Sequence, residues 1–145
     1  MTVTLCLVLW AIQRAATERT VTPDDVFDLA LAFDSAVVEM QHRNSVSRAY
    51  YSAYLHVIDR VEAAGILLTT APSGMHDKLI HSLNSNLCGA LNGGMKPAKQ
   101  YELAGALALA KQLRTKSDYK LSETVNQSHK DTALDSARAI KAMVP

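Results

Sequence analysis

Apolar residues recur every three or four positions through most of the chain, and the stretch that begins near residue 22 shows this pattern clearly. Thr22 can cap a helix, Pro23 suits its first turn, and the two aspartates that follow complement the positive end of a helix dipole. One apolar stripe then follows at helical spacing, formed by Val26, Phe27, Leu29, Ala30, Phe33, Val37 and Met40. This pattern predicts an amphipathic helix over residues 25–40.

Start and stop signals divide the rest of the chain into further helices. Asn44 or Ser45 can cap a helix that stops before Gly65, Pro97 can begin a long helix, and Ser128 can cap a last one. The expected helices cover residues 45–64, 75–83, 97–116 and 128–143, with irregular chain over residues 84–96 and 117–125. No stretch of useful length alternates with period two, so the sequence predicts an all-α fold without a sheet.

The first residues are too apolar for a surface helix, since Thr4 is the one polar residue between Val3 and Ile12. No basic residue precedes this run, and Gln13 and Arg14 end it well short of the roughly 20 apolar residues that span a membrane. We therefore predict an extra N-terminal helix over residues 1–17 that is buried or used in self-association. We expect a cytoplasmic protein with no membrane partner.

Composition and charge suit a single globular domain of 145 residues, of which 48% are hydrophobic and 20% are charged. The net charge of +1 argues against an obligate nucleic-acid coat protein. Residues 1–95 carry six Lys and Arg against nine Asp and Glu, whereas residues 96–145 carry nine against five. The basic C-terminal half can face phosphates or can simply be solvated. Cys6 and Cys88 lack metal-ligand spacing, which indicates buried thiols in a reducing compartment.

Three sequence strings between residues 47 and 119 resemble one family. Residues 47–56 read Ser-Arg-Ala-Tyr-Tyr-Ser-Ala-Tyr-Leu-His, residues 73–76 form a Ser-x-x-His stretch, and residues 113–119 read Leu-Arg-Thr-Lys-Ser-Asp-Tyr. In this order they resemble the HEPN family, and the resemblance covers residues 22–143.

The resemblance implies an up-and-down helical bundle of about five to six helices, commonly a homodimer with the motif helices near the interface. Some members of the HEPN family are metal-independent endoribonucleases, often toxins paired with a minimal nucleotidyltransferase antitoxin. Others lack the catalytic residues and bind nucleotides or RNA.

In the ribonuclease members an arginine and a histidine lie four to six residues apart on one helix and act across the dimer. RNA cleavage by the 2′-hydroxyl needs a group that moves a proton and a fixed cation that stabilises the phosphorane. Here seven residues separate Arg48 from His56. Eight positions turn a side chain by about 80° around a helix, so Leu55 takes the place of the family's histidine. We therefore expect no catalysis; the alternative is a ribonuclease toxin that uses Arg48 and His56.

The candidate ligand-binding residues also have structural interpretations. Arg48 can bind a phosphate, or it can pair with Asp118 and pin the motif helix to the long helix. Tyr51 and Tyr54 lie on the same side of the helix as Arg48, where they can stack on a base or fill the core.

The Leu-Arg-x-x-x-Asp-Tyr string offers the same choice. Arg114 can be a second phosphate contact, or it can form an intrahelical pair with Asp118, beside Tyr119, as a purely structural unit. The five histidines and two cysteines form no cluster of recognised metal-ligand spacing. We expect neither a metal nor another cofactor.

The sequence thus predicts a non-catalytic HEPN-like homodimer that binds RNA or a nucleotide through the Arg48 side of its motif helix, in a toxin–antitoxin or defence-type system. A third hypothesis is a protein-interaction module for a nucleotidyltransferase, with the apolar first helix as its contact surface.

Overall fold

A computed structural model describes residues 21–33 and 38–145 of the chain. Five helices pack together in these residues: α1 (Pro23–Leu31), α2 (Glu39–Ala63), α3 (Met75–Asn84), α4 (Pro97–Tyr119) and α5 (Gln127–Met143). A short 3₁₀ turn, Leu91–Gly93, precedes α4, and the described part of the chain contains no strand. The predicted all-α class is therefore confirmed, while the helix predicted over residues 1–17 lies outside the described residues.

Helix α1 begins as predicted but ends earlier. The Thr22 hydroxyl accepts a hydrogen bond from the backbone N–H of Asp25 at 3.2 Å, and the Asp25 carboxylate accepts one from the backbone N–H of Thr22 at 2.8 Å. This capping box satisfies two otherwise unpaired donors of the first turn. The predicted extension to residue 40 was wrong, because α1 ends at Leu31 and Met40 belongs to the next helix.

Helix α2 starts before the predicted cap and ends where it was expected. Val38 occupies the N-cap position without a side-chain hydrogen bond, and the Ser45 hydroxyl instead donates to the carbonyl oxygen of Ala30 at 2.9 Å. At the C-terminus Gly65 has a φ of +67°, and the backbone N–H of Ile66 donates to the carbonyl of Val61 at 3.1 Å. Such a left-handed residue after the last turn favours glycine.

The remaining boundaries differ from the sequence prediction mainly around residue 120. Helix α3 and the start of α4 lie where they were predicted, but α4 continues to Tyr119. Helix α5 begins at Gln127, and its cap is Asn126 rather than Ser128, since the Asn126 side chain accepts from the backbone N–H of His129 at 3.2 Å.

Helix α2 is the central element, and its contacts show the direction of each neighbour. It runs antiparallel to α1, because Ser45 bonds to Ala30 whereas Ser52 bonds to Pro23. It also runs antiparallel to α4, since residue 43 contacts residue 117 and residue 51 contacts residue 114. Contacts from residue 39 to residue 125 and from residue 56 to residue 144 show that α5 runs parallel to α2.

Helix α3 runs antiparallel to α4, because residue 77 contacts residue 111 and residue 86 contacts residue 100. It therefore has the same general direction as α2, and residues 64–74 return the chain between them. The fold departs here from the strict up-and-down alternation that the resemblance implied. The return connection brings the start of α3 against the middle of α2.

The core lies mainly between α2, α4 and α5, where burial of apolar side chains provides the main stabilisation. Its fully buried members include Val46, Ala49, Ala53, Val57, Val61, Leu103, Leu107, Leu134 and Ile140. Within the described ranges, no helix combines the length and apolar character needed to cross a membrane.

Candidate functional site

Aromatic side chains from α2 and α3 meet an arginine from α4 on one side of the bundle. We call Tyr50, Tyr51, Tyr54, His76 and Arg114 the tyrosine cluster. The ring centre of His76 lies 4.0 Å from that of Tyr54 and 5.4 Å from that of Tyr50. The hydroxyl of Tyr50 lies 2.6 Å from Nδ1 of His76, so a hydrogen bond joins α2 to the start of α3.

The environment keeps both partners of this hydrogen bond uncharged near neutral pH. Burial lowers the pKa of His76 below its usual value, and the nearby positive charges of Arg114 and Lys111 lower it further. Burial also raises the pKa of Tyr50 well above that of a free phenol. The permanent positive charge in the cluster therefore belongs to Arg114.

Arg114 lies between two tyrosines. Its Nη2 donates to the hydroxyl of Tyr51 at 2.5 Å and to that of Tyr119 at 3.1 Å, and its guanidinium carbon lies 5.0 Å from each ring centre. Nε of Arg114 approaches Oδ2 of Asp118 at 2.7 Å, as an ion pair whose N–H is not aligned for a hydrogen bond. The Ser47 hydroxyl donates to the same Oδ2 at 3.2 Å. The intrahelical pair expected from the sequence is thus present and is also tied to α2.

Among the described residues, Arg48 lacks the carboxylate partner that the structural interpretation requires. Its side chain is exposed, and within residues 21–33 and 38–145 it forms no ion pair or hydrogen bond. In particular, Asp118 contacts Ser47 and Arg114 instead of Arg48. Arg48 lies three positions before Tyr51, so the two side chains are neighbours on one side of α2.

The two tyrosines proposed as ligand contacts are not equivalent. Tyr54 is 9% exposed and stacks on Tyr50, with ring centres 6.2 Å apart and planes inclined by 23°. Tyr51 is half-buried and reaches the surface beside Arg48. The core interpretation therefore fits Tyr54, while Tyr51 remains available for a ligand.

His56 does not join Arg48 within the chain. Its Nε2 lies 2.6 Å from the carbonyl oxygen of Val144, just after the end of α5. The bond directs the imidazole towards α5, and the Arg48 side chain extends into solvent from a different side of α2. The structure does not bring the two candidate catalytic residues together in one subunit.

Arg43 has a structural role that the sequence reading missed. It is 5% exposed, and its guanidinium donates to the carbonyl oxygen of Ser117 at 2.8 Å and to the carboxylate of Glu39 at 2.8 Å. It also bonds to the carbonyl of Glu123 and, more loosely, to that of Lys120. The spacing of Glu39 and Arg43 signals an i,i+4 pair, but carbonyl partners leave no signature in a sequence.

The Ser-x-x-His string includes His76, but the contact of His76 with α2 depends on the return connection, which the sequence does not reveal. In the part of the chain that the structure describes, no three His, Cys, Asp or Glu side chains lie close enough together to hold a metal ion.

The chain matches no protein-family model, no curated protein and no solved structure. Its function therefore has to be inferred from its own side chains.

Proposed function

We propose that this protein is a non-catalytic, HEPN-like cytoplasmic protein that binds RNA or a nucleotide through Arg48 and Tyr51. The main support is the exposed Arg48 guanidinium, which has no carboxylate partner in the described residues and lies one turn from an anchored aromatic ring. A guanidinium can donate two parallel hydrogen bonds to a phosphate. An adjacent tyrosine can stack on a base.

Arg114 prepares Tyr51 for this role. Its hydrogen bond to the hydroxyl and its position over the ring restrict the rotamers of Tyr51 before any ligand arrives. A restricted side chain loses less conformational entropy on binding. We therefore assign Arg114 to positioning Tyr51, with its charge partly offset by Asp118.

The ribonuclease alternative requires His56 to move a proton at the scissile phosphate. Its Nε2 is instead bonded to the carbonyl of Val144, and that bond would have to open first. The hypothesis of a nucleotidyltransferase-binding module depends on residues 1–17, which lie outside the described residues. Neither alternative has a supporting observation as direct as the surroundings of Arg48.

The test is binding of a fluorescently labelled, mixed-sequence single-stranded RNA, without added metal, to the wild type and two variants. Arg48→Gln should weaken binding about tenfold or more, since a hydrogen bond to a charged group contributes about 1.5–3 kcal/mol. The matched control is Arg138→Gln, because Arg138 is 52% exposed on α5 and pairs with Asp135 at 3.0 Å. This control should bind RNA like the wild type.

Gel analysis of the same samples should show intact RNA. Cleavage that disappears in Arg48→Gln would replace the proposal with the ribonuclease alternative. Unchanged binding in Arg48→Gln, or an equal loss in both variants, would show that Arg48 is not a specific contact.

A further inference from the structure

A basic groove lies on the other side of α4 from the tyrosine cluster. Arg114 and Lys116 are two positions apart, so their side chains leave α4 in nearly opposite directions. The groove has a volume of about 580 Å³, and its lining includes Lys116, Lys120, Glu123, His129 and the apolar Leu109. Lys111 lies at its border with the tyrosine cluster, where it pairs with Asp77.

The positive charge in this groove is only partly neutralised. Nζ of Lys116 lies 3.9 Å from the Glu123 carboxylate, and Nζ of Lys120 lies 3.2 Å from the same carboxylate. One carboxylate thus faces two ammonium groups, and Lys116 is only 25% exposed. A partly desolvated cation without a full counter-charge gains more from an anionic ligand than a solvated lysine does.

His129 accepts a hydrogen bond from Lys116. Nζ of Lys116 lies 3.1 Å from Nε2 of His129, and Nδ1 of the same ring lies 2.7 Å from Oδ1 of Asn126. An ammonium can only donate, so Nε2 accepts from Lys116, while Nδ1 lies against both the side chain and the backbone N–H of Asn126. The imidazole thereby holds Lys116 at the groove.

The C-terminus of α4 would ordinarily repel an anion, because its last carbonyl groups carry partial negative charge. Arg43 reduces this effect, since its guanidinium covers carbonyl oxygens of Lys116, Ser117 and Lys120. The lysines of the groove therefore determine the sign of the potential there.

Tyr119 connects the groove to the tyrosine cluster. Its hydroxyl accepts from Arg114, and the guanidinium lies over the ring, yet the side chain is 66% exposed. Lys120 follows it directly in the chain, and Lys116 precedes it by three positions. An exposed aromatic ring flanked by cations is the usual platform for unpaired bases.

We infer that the groove continues the binding surface beyond Arg48 and Tyr51, and that the ligand is single-stranded RNA of several nucleotides rather than a mononucleotide. This inference rests on the proposed function. The width of a helix with its side chains, about 10–12 Å, separates the two sides of α4. Arg48 neighbours Tyr51, which bonds to Arg114. Arg48 therefore belongs to the side of α4 opposite Lys116. A single phosphate cannot lie against both Arg48 and Lys116, whereas a strand that passes over Tyr119 can contact both.

The experiment measures binding of a dinucleotide and of a strand of about ten nucleotides over a range of salt concentrations. The double variant Lys116→Gln/Lys120→Gln should weaken binding of the longer strand about tenfold and leave any dinucleotide binding unchanged. Loss of two phosphate contacts should reduce the slope of log K against log salt by about 1.4. Tyr119→Ala should weaken binding of the longer strand at least fivefold, as expected for a lost stacking contact.

Matched controls lie on or beside the same helix. Lys96→Gln/Lys99→Gln removes two exposed charges near the start of α4, and Tyr101→Ala removes a 52% exposed tyrosine. Both should bind like the wild type, and a loss equal to that of the groove variants would overturn the inference. Lys120→Gln, at a position 56% exposed, provides the same test if the double variant fails to fold.

The remaining outcomes separate this inference from the proposed function. Loss of binding in Arg48→Gln with no effect of the groove variants would overturn the inference alone. Loss in the groove variants with none in Arg48→Gln would overturn the proposed site and the continuity between the two surfaces. The last outcome is that polyglutamate binds as tightly as RNA and that Tyr119→Ala has no effect. This result would show that the groove recognises charge only, and it would also overturn the inference.

Discussion

Three arginines within or against α2 have different surroundings, and these surroundings indicate different roles. Arg43 is buried and bound to backbone carbonyls, Arg114 lies between two tyrosines, and Arg48 is exposed without a partner in the described residues. Burial of a guanidinium lowers the stability of a protein unless its donors form hydrogen bonds. The donors of Arg43 bond to backbone carbonyls and to Glu39. The exposed Arg48 has no structural use of this kind.

Arg43→Ala should destabilise the protein strongly, because it leaves buried carbonyl oxygens near the end of α4 without donors. We expect a loss of about 1–3 kcal/mol or more in the free energy of unfolding, the range for buried acceptors left without a donor. Urea denaturation measures this value. Arg48→Ala is the control and should stay within about 0.5 kcal/mol of the wild type. Equal stability of the two variants would contradict the structural role of Arg43.

His76 makes stability depend on pH in a predictable direction. Its pKa in the folded state is below the usual 6.5, so the unfolded chain takes up a proton more readily as the pH falls. The contribution of His76 is therefore complete above pH 6.5 and is lost as the pH falls from there through the lower folded pKa. Unfolding experiments at pH 7.5 and pH 5 should show a smaller loss for His76→Gln than for the wild type.

The exposed His81 on the same helix provides the control for this experiment. His81→Gln should keep the pH dependence of the wild type. If His76→Gln also keeps it, another group is responsible, and the burial of His76 does not control the pH dependence of stability.

At the scale of elements, signals from single residues predicted boundaries better than periodicity did. Gly65 and Pro97 mark real helix boundaries because their backbone conformations are restricted or unusual. The apolar stripe continues to residue 40, although α1 ends at Leu31. No glycine or proline marks this helix end, and the spacing of apolar residues alone does not reveal it. Likewise, Ser45 resembles a cap in sequence, but its hydroxyl bonds to α1.

The candidate site could be predicted only in part for a related reason. Arg114 and Asp118 are four positions apart, so their pair is visible in the sequence. The contact between Tyr50 and His76 depends on how residues 64–74 return the chain to α2, and the bonds of Arg43 depend on backbone carbonyls. Neither kind of contact leaves a spacing pattern.

The loop between α3 and α4 depends on one buried amide. Gln100 is fully buried; it accepts from the backbone N–H of Cys88 at 2.9 Å and donates to Oδ1 of Asn86 at 2.6 Å and to the carbonyl of Met95 at 3.0 Å. Gln100→Leu should lower the free energy of unfolding by about 1–3 kcal/mol or more, because buried partners lose their hydrogen bonds. The exposed Gln112→Leu on the same helix is the control for urea denaturation. An equal effect of both changes would mean that the loop does not need this amide.

At the scale of the whole molecule, positive and negative charges are distributed unevenly between residues 1–95 and residues 96–145. The net charge is +1, but residues 96–145, which contain α4 and α5, carry nine Lys and Arg against five Asp and Glu. Most of the excess therefore lies on the two helices that border the basic groove. RNA binding by this protein would then be local and salt-sensitive, as expected for contacts made by a few lysines rather than by a generally basic surface.

We predict a homodimer, as the HEPN resemblance implies, in which Leu55 on the exposed side of α2 packs against the partner and Arg48 stays open to solvent at the edge of the interface. Arg48 and the half-buried Leu55 lie seven positions apart on this side, and a net charge of +1 gives two copies little reason to repel each other. Sedimentation velocity should therefore give about twice the monomer mass of 15.8 kDa. Leu55→Glu should shift the protein towards monomer, because a charge would be buried at the interface. The control is Leu67→Glu, at a position 89% exposed, which should remain dimeric. A monomer mass at every concentration, or a dimer that Leu55→Glu leaves intact, would remove α2 from the assembly and leave Arg48 to act within a single chain.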